Sequence, residues 1–319
     1  MTSYGYTLSS EEQTPADLVR LAARAESAGF DFASISDHYH PWVGAQGHSG
    51  FVWSVLGAIA ASTERLPVGV GVTCPIMRIH PAVVAQAAAT TSLLFDGRFF
   101  LGVGTGEALN EHVVGRRWPP PAVRLEMLEE AVAVIRELFT GETVEHRGDH
   151  YEVDNARLFD PPVADVPIVV SGFGPDAAGL AGRIGDGYWG NAPERELLET
   201  FERNGGDGPR YAQLNVCWAP TEEEARRTVH EVWPNTAVPG QLSQDLPTWT
   251  HFELATQIVT EADATEHVPC GPDIVDDVVK SVGQYRDAGY DHLYFHQIGR
   301  EQEGFVSYWE SELRDALAA

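Results

Sequence analysis

A chain of 319 residues, 43% hydrophobic and 21% charged, has the material for a large buried core, which excludes a disordered or collagen-like polymer. Forty-seven Asp plus Glu against 21 Lys plus Arg leave a net charge of -26, which repels a phosphate backbone or an anionic membrane surface, so no nucleic-acid or membrane partner is expected. Cys74, Cys217 and Cys270 are odd in number, far apart and without CxxC spacing, as expected of a reduced, cytoplasmic protein lacking disulfides and structural zinc. The opening MTSYGYTLSSEEQ has no leader-like basic or apolar region, and no run of ~18 apolar residues predicts a membrane span.

In chain order, a strand near Ser3 to Leu8 is followed by Thr14-Pro15, an N-cap with Pro at the first helical position, and by Leu18, Leu21, Ala22 and Ala25 at helical spacing up to Gly29. The apolar FDFASIS predicts a buried strand that runs into the polar loop Ser36 to Gly50. The alternation continues with a helix from Phe51 to Ser62, a strand from Leu66 to Thr73, a helix from Pro81 to about Phe95, and a strand from Arg98 to Gly106. Next comes a helix with Leu125, Leu128, Val132 and Ile135 on one face, and a hairpin excursion from Thr143 to Val153. Strand Pro167 to Gly172, a helix from Pro175, a short strand Gly187 to Gly190 and a helix from about Glu194 follow. Strand Tyr211 to Ala219 and helix Thr221 to Trp233 lead to an irregular insertion over 234–250. Helices near Phe252 to Asp263 and from Pro272 to Ala288, strand Tyr290 to Gln297 and a terminal helix close the chain. Eight strands alternating with helices, most of them continuous apolar runs, predict one (β/α)8 barrel, an α/β fold spanning 1–319 as a single domain. Its chemistry is then expected just after the strands.

Three such places carry reactive or ligand-binding residue types. After the second strand stand Asp37, His38, Tyr39, His40, Pro41 and Trp42, where a histidine serves as a general base near neutral pH beside an apolar wall. Solvated loop histidines are the bland alternative, and zinc is disfavoured because no HExxH or Cys/His quartet occurs. LGVGTGEALNE puts Gly102, Gly104 and Gly106 at a strand end, followed by Glu107 and Asn110; this GxGxG does not meet the dinucleotide fingerprint but lets backbone approach a planar or phosphorylated ligand. In SGFGP, Ser171, Gly172, Phe173, Gly174 and Pro175 form a turn into a helix start, where free N–H groups can hold an anion without lysine, and Lys280 is the only lysine in the chain.

ISDHYHPW, CPIMRIHPAVVAQA, FFLGVGTGEALNEHVVG, RLEMLEEAVAVIRELF, SGFGP with AGRIGDG, and AGYDHLYFHQIG together resemble the luciferase-like oxidoreductases that use the deazaflavin coenzyme F420, most closely the branch of F420-dependent glucose-6-phosphate dehydrogenases. The resemblance spans residues 35 to 299. It implies a (β/α)8 luciferase-like barrel, coenzyme F420 as cofactor, a small-molecule substrate and a homodimer. It further implies His38 as base for the substrate hydroxyl, Glu107 as partner acid, Trp42 as a wall, and Asp37 and Asn110 touching the cofactor. Gly71, Val72, Thr73 and Cys74 would back the deazaflavin ring, with a non-prolyl cis peptide at Gly71–Val72 or Val72–Thr73, while Gly106 and Ser171 to Pro175 would hold the cofactor. The implied reaction is hydride transfer from a carbinol carbon of an alcohol, hemiacetal or sugar. Sugar-phosphate dehydrogenases of this branch hold the phosphate with basic side chains, and Glu194 falls at one of those positions, so a phosphorylated sugar is not the expected substrate. An FMN-dependent monooxygenase or reductase on the same barrel and a non-catalytic cofactor-binding protein are the alternatives.

Overall fold

In the computed structural model, which describes residues 2–318, eight parallel strands close into a barrel. They are β1 (Ser3–Leu8), β2 (Phe32–Ile35), β3 (Val68–Thr73), β4 (Phe99–Val103), β7 (Ile168–Ser171), β8 (Gly187–Gly190), β9 (Arg210–Trp218) and β11 (His292–Gln297). Between β4 and β7 an antiparallel hairpin, β5 (Val144–Arg147) with β6 (Glu152–Ala156), stands apart. The barrel closes because β9 pairs in parallel with both β8 and β11, and β11 pairs with β1. A two-residue strand, β10 (Cys270–Gly271), adds to the end of β9 and was not legible in the sequence.

The first helix shows how local chemistry sets the layers. Thr14 accepts a hydrogen bond from the Asp17 N–H, Pro15 opens helix Pro15–Ser27, and Leu18, Leu21, Ala22 and Ala25 are buried against the sheet. Each such leucine gains roughly 1.5–3 kcal/mol from burial. The lumen is packed rather than hollow: Phe32, Phe100, Val169, Trp189, Tyr211 and Tyr294 form a separate aromatic-rich cluster inside the strands. Trp189 Nε1–H donates to the Tyr294 hydroxyl at 2.6 Å, so the plug satisfies its own polar atom. That plug leaves only the rim at the C-terminal ends of the strands for chemistry.

Two expectations about the late segments need correction. The stretch 234–250 is not irregular but carries a 3-10 turn, Pro234–Ala237, and helices Leu242–Asp245 and Trp249–Thr256. Thr248 caps the last of these by accepting from the His251 N–H, and Val238, Leu246 and Phe252 gather around Trp42 with Val43 and Leu109, so the segment is packed onto the loops after β2 and β4. The single helix expected from Phe252 to Asp263 is two, because Thr260 and Asp263 form a capping box that starts helix Glu261–Thr265 afresh. Cys217 and Cys270, distant in sequence, are neighbours across β9 and β10, and all three cysteines are free thiols.

Candidate active site

β1 and β2 end side by side, and their loops bring a histidine and a buried carboxylate together. β2 runs into Asp37 and His38; β1 runs into Ser9, Ser10, Glu11 and Glu12. His38 Nε2 lies 3.3 Å from Glu11 Oε1, and its Nδ1 faces the His40 carbonyl at 3.2 Å. Glu11 is almost fully buried, at 2% exposure, and its other oxygen accepts from the hydroxyls of Ser36 at 2.6 Å and Ser9 at 3.1 Å. Burial alone would push this carboxyl up, but the His38 imidazole, the Ser36 hydroxyl, its own backbone N–H and the more distant His296 together hold it below its ordinary value. An ionised Glu11 therefore stands beside the histidine. Sequence reasoning missed Glu11, although an acidic pair directly after the first strand is the signal the barrel rule supplies.

Trp42 completes this corner, with its ring 5.0 Å from that of His38 and edge-on to Phe252 at 5.1 Å. The loop is fixed to the late helical segment through the Trp42 N–H on Gln46 Oε1, Gln46 Nε2 on Asn235 Oδ1, and the Gly44 N–H on Glu253 Oε1. Asn110, buried in the short helix Ala108–Glu111, ties the same loop to the β4 end. Its Oδ1 accepts from the Tyr39 and His40 N–H groups at 2.9 and 3.2 Å, and its Nδ2 donates to Glu107 Oε2 at 3.4 Å. The structure thus brings His38, Trp42, Glu107 and Asn110 to one rim.

Asp37 is placed differently. Its carboxylate accepts from the Thr73 hydroxyl at 2.5 Å and pairs with Arg78 Nη2 at 2.9 Å, beneath the rim. Arg78 also reaches Glu111, through Nε at 3.4 Å and its backbone N–H at 2.6 Å. Burial pushes Glu111 up to about 7 against the pull of that guanidinium. Asp37 is a foundation of the site, and Arg78 and Glu111, which no local motif marks, complete its ion-pair network.

Gly71, Val72, Thr73 and Cys74 lie at the end of β3 on the inner side, and the Gly71–Val72 peptide is cis. A Cβ on Gly71 would strike the Ser34 hydroxyl and Trp189, and one on Gly104 would strike the Ser171 hydroxyl, so the close packing of these strand ends requires glycine at both positions. Gly106 has φ +65, and a Cβ there would meet the Cys74 sulfur at 2.5 Å. Ser171, Gly172, Phe173 and Gly174 run from β7 into helix Pro175–Ile184, whose N-cap, Gly174, provides no side-chain cap and has open space where a Cβ would stand. Ten residues of helix with uncapped first-turn N–H groups are a fit for a phosphate. Glu194 sits exposed at the N-cap of helix Arg195–Arg203, and its charge is felt by Tyr188 and Tyr290, both packed between sheet and helices. It is not among the side chains gathered around His38. Among the described residues no cluster of His, Cys, Asp and Glu is arranged to hold a metal ion, and no helix is long and apolar enough to cross a membrane.

Comparison with known proteins bears directly on this rim. The model of a family described as luciferase-like monooxygenase matches residues 2–292. F420-dependent glucose-6-phosphate dehydrogenases from Mycolicibacterium fortuitum and Amycolatopsis mediterranei are 36% and 34% identical, over 98% and 100% of this chain and 97% and 99% of theirs. The chain belongs to the luciferase-like family, among its F420-dependent dehydrogenases. A solved F420-dependent secondary alcohol dehydrogenase, in complex with an F420-acetone adduct, superposes on this luciferase-like dehydrogenase with a TM-score of 0.91 at 30% identity, covering 99% of each chain. A coenzyme F420-dependent tetrahydromethanopterin reductase from Methanopyrus kandleri, at 21% identity and TM-score 0.76, shares the fold. Monooxygenases and dehydrogenases share this barrel, so the reaction of this luciferase-like dehydrogenase is set by its rim residues.

Proposed function

We propose that this F420-dependent dehydrogenase oxidises an uncharged alcohol, hemiacetal or unphosphorylated sugar, with His38 removing the hydroxyl proton while Glu11 holds the imidazole. The observation that carries the reading is the His38–Glu11 contact of 3.3 Å at the end of β2, beside Trp42. The bound deazaflavin supplies a hydride acceptor that is poor at one-electron and oxygen chemistry, which favours a dehydrogenase over an FMN-type monooxygenase. Around that acceptor the chain's own groups have separate tasks. His38, held by Glu11, takes up the hydroxyl proton, Trp42 shields the reacting carbon from water, and Glu107, steadied by Asn110, acts as the partner acid. Gly71 to Cys74 and Gly106 back the ring, and Ser171 to Pro175 receive the phosphate on backbone N–H groups. Fluorescence titration with each cofactor tests this: binding is expected for F420 in preference to FMN at matched salt, and equal or tighter FMN binding overturns it.

The choice of an uncharged substrate rests on the lining. Trp42, backed by Phe252, Val43, Leu109, Val238 and Leu246, makes one wall apolar, and the carboxyls beside His38 and Asn110, Glu11 and Glu107, are acidic, with the buried Arg124 the cation within electrostatic reach of Glu107. The only lysine, Lys280, lies on the outer helix Val275–Ala288. A carboxylate ~4 Å from a phosphate costs about 4 kcal/mol per pair of unit charges at an effective dielectric of ~20. Glu11 and Glu107 carry this argument better than Glu194. Steady-state assays of propan-2-ol against glucose 6-phosphate are expected to favour the neutral alcohol, and a kcat/KM above ~10⁴ M⁻¹s⁻¹ for the phosphosugar would exclude the reading. The reading places the enzyme in the cytoplasm as a homodimer, supported by its free thiols and by Val83, Leu93 and Leu94 left exposed on helix Pro81–Leu94; sedimentation in solution checks the second part.

A further inference from the structure

The loop after β1 holds a second histidine. Glu12 turns away from Glu11 and toward β11, where its Oε2 lies 2.6 Å from His296 Nε2 and its Oε1 accepts the Gly299 N–H at 2.7 Å. His296 Nδ1 faces Asn215 Oδ1 at 3.1 Å, and that oxygen also accepts from Gln213 Nε2 at 2.8 Å. Both ring nitrogens of His296 therefore face acceptors, which a neutral imidazole with one N–H cannot satisfy. The pair must hold one proton on Nδ1 and one between Nε2 and the carboxyl, giving zero net charge in either arrangement. With side-chain exposures of 2% and 3%, His296 and Glu12 have no water to compensate them.

β1 is flanked in the barrel by β2 and β11, so consecutive glutamates grip a histidine from each neighbour: Glu11 holds His38, Glu12 holds His296. Trp233 packs edge-on against His296 at 4.5 Å and belongs to an apolar cluster that Trp42 joins. We propose that His296 is a positioning residue of the dehydrogenase: paired with Glu12, it fixes the β1 loop so that Glu11 stays on His38, and it cancels the Glu12 charge that the Glu11–His38 pair would otherwise feel. The proposal rests on the acid–base reading of His38.

The groups facing this arrangement are few. Glu11 and His38 come from the β1 and β2 loops, and Asn215, Gln213 and Cys217 from β9; Tyr6 of β1 also feels the Glu12 charge, and burial keeps both the Tyr6 hydroxyl and the Cys217 thiol protonated. His296→Gln leaves Glu12 unbalanced and adds a negative charge near the Glu11–His38 pair, which then gives up its shared proton only at higher pH. Glu12→Gln combined with His296→Gln restores zero charge.

Ligand-free protein with isotope-labelled histidine reads this by NMR without any turnover. Wild type is expected to show two slowly exchanging ring N–H signals from His296, absent in His296→Gln. The midpoint of the Glu11–His38 pair is expected to rise by about half a unit or more in His296→Gln and to return toward wild type in the double variant. The acid limb of kcat for propan-2-ol should move in the same sense. A double variant displaced further than the single, or no displacement in a folded His296→Gln, overturns the proposal, because a merely structural role worsens with each substitution. Absence of alcohol turnover by wild type with the NMR shifts intact would instead overturn the assigned reaction.

Discussion

Replacing His38 by alanine is expected to lower kcat for alcohol oxidation by roughly 10²–10⁴-fold while leaving deazaflavin binding near normal, the range typical of losing a positioned general base. The expectation follows from where the imidazole stands. Its Nδ1 faces the His40 carbonyl and its Nε2 faces Glu11, so the ring is fixed at the end of β2. Removing the ring takes away the acceptor but leaves Asn110, Thr73 and the glycines of the cofactor cradle untouched. A kcat within threefold of wild type on a good substrate would remove His38 from the base role. Glu107→Gln should change rate in the same direction and alter the pH dependence.

The second large effect concerns stability. Arg78→Met is expected to cost about 3–5 kcal/mol in denaturant unfolding, since it strips the guanidinium from two buried carboxyls, Asp37 and Glu111, at once. The loss has a pH signature. Glu111 is already raised from 4.5 to about 7, so in wild type the stability from its extra proton affinity is full below pH 4.5 and is lost as pH rises through about 7. Without Arg78 its carboxyl binds a proton more tightly still. The deficit of the variant should therefore be smaller at pH 5 than at pH 8, and a deficit that shrinks as pH rises would contradict the assignment.

Much of the architecture was legible because each barrel strand is a short apolar run bounded by helix signals such as Thr14-Pro15 and His80-Pro81. Rim residues were legible where a strand visibly ended, as at Asp37-His38 and Gly106-Glu107. What could not be read were relations between distant segments. Nothing in the local run SSEEQ tells whether Glu11 and Glu12 face solvent or two histidines 27 and 284 positions away. Arg78 looks like a surface residue until the β3 loop folds it onto Asp37 and Glu111. The segment after Trp233 read as irregular because its helices are only four and eight residues long, too short for a periodic signal, and the longer one is held by Phe252 packing on Trp42.

That packing separates two kinds of evolutionary change. The Pro234–Thr256 segment meets the reactive corner through Trp42, Gln46 and Gly44, whereas His38, Glu11 and Asn110 are secured by the ends of β1, β2 and β4. Insertions, deletions and side-chain swaps in the late segment can remodel the volume and polarity offered to a substrate while the proton-handling groups keep their places. Such a barrel can acquire a new donor molecule by exchanging one wall, and a chimera carrying a relative's segment between residues 234 and 256 would inherit that relative's preferences on an unchanged chemical engine.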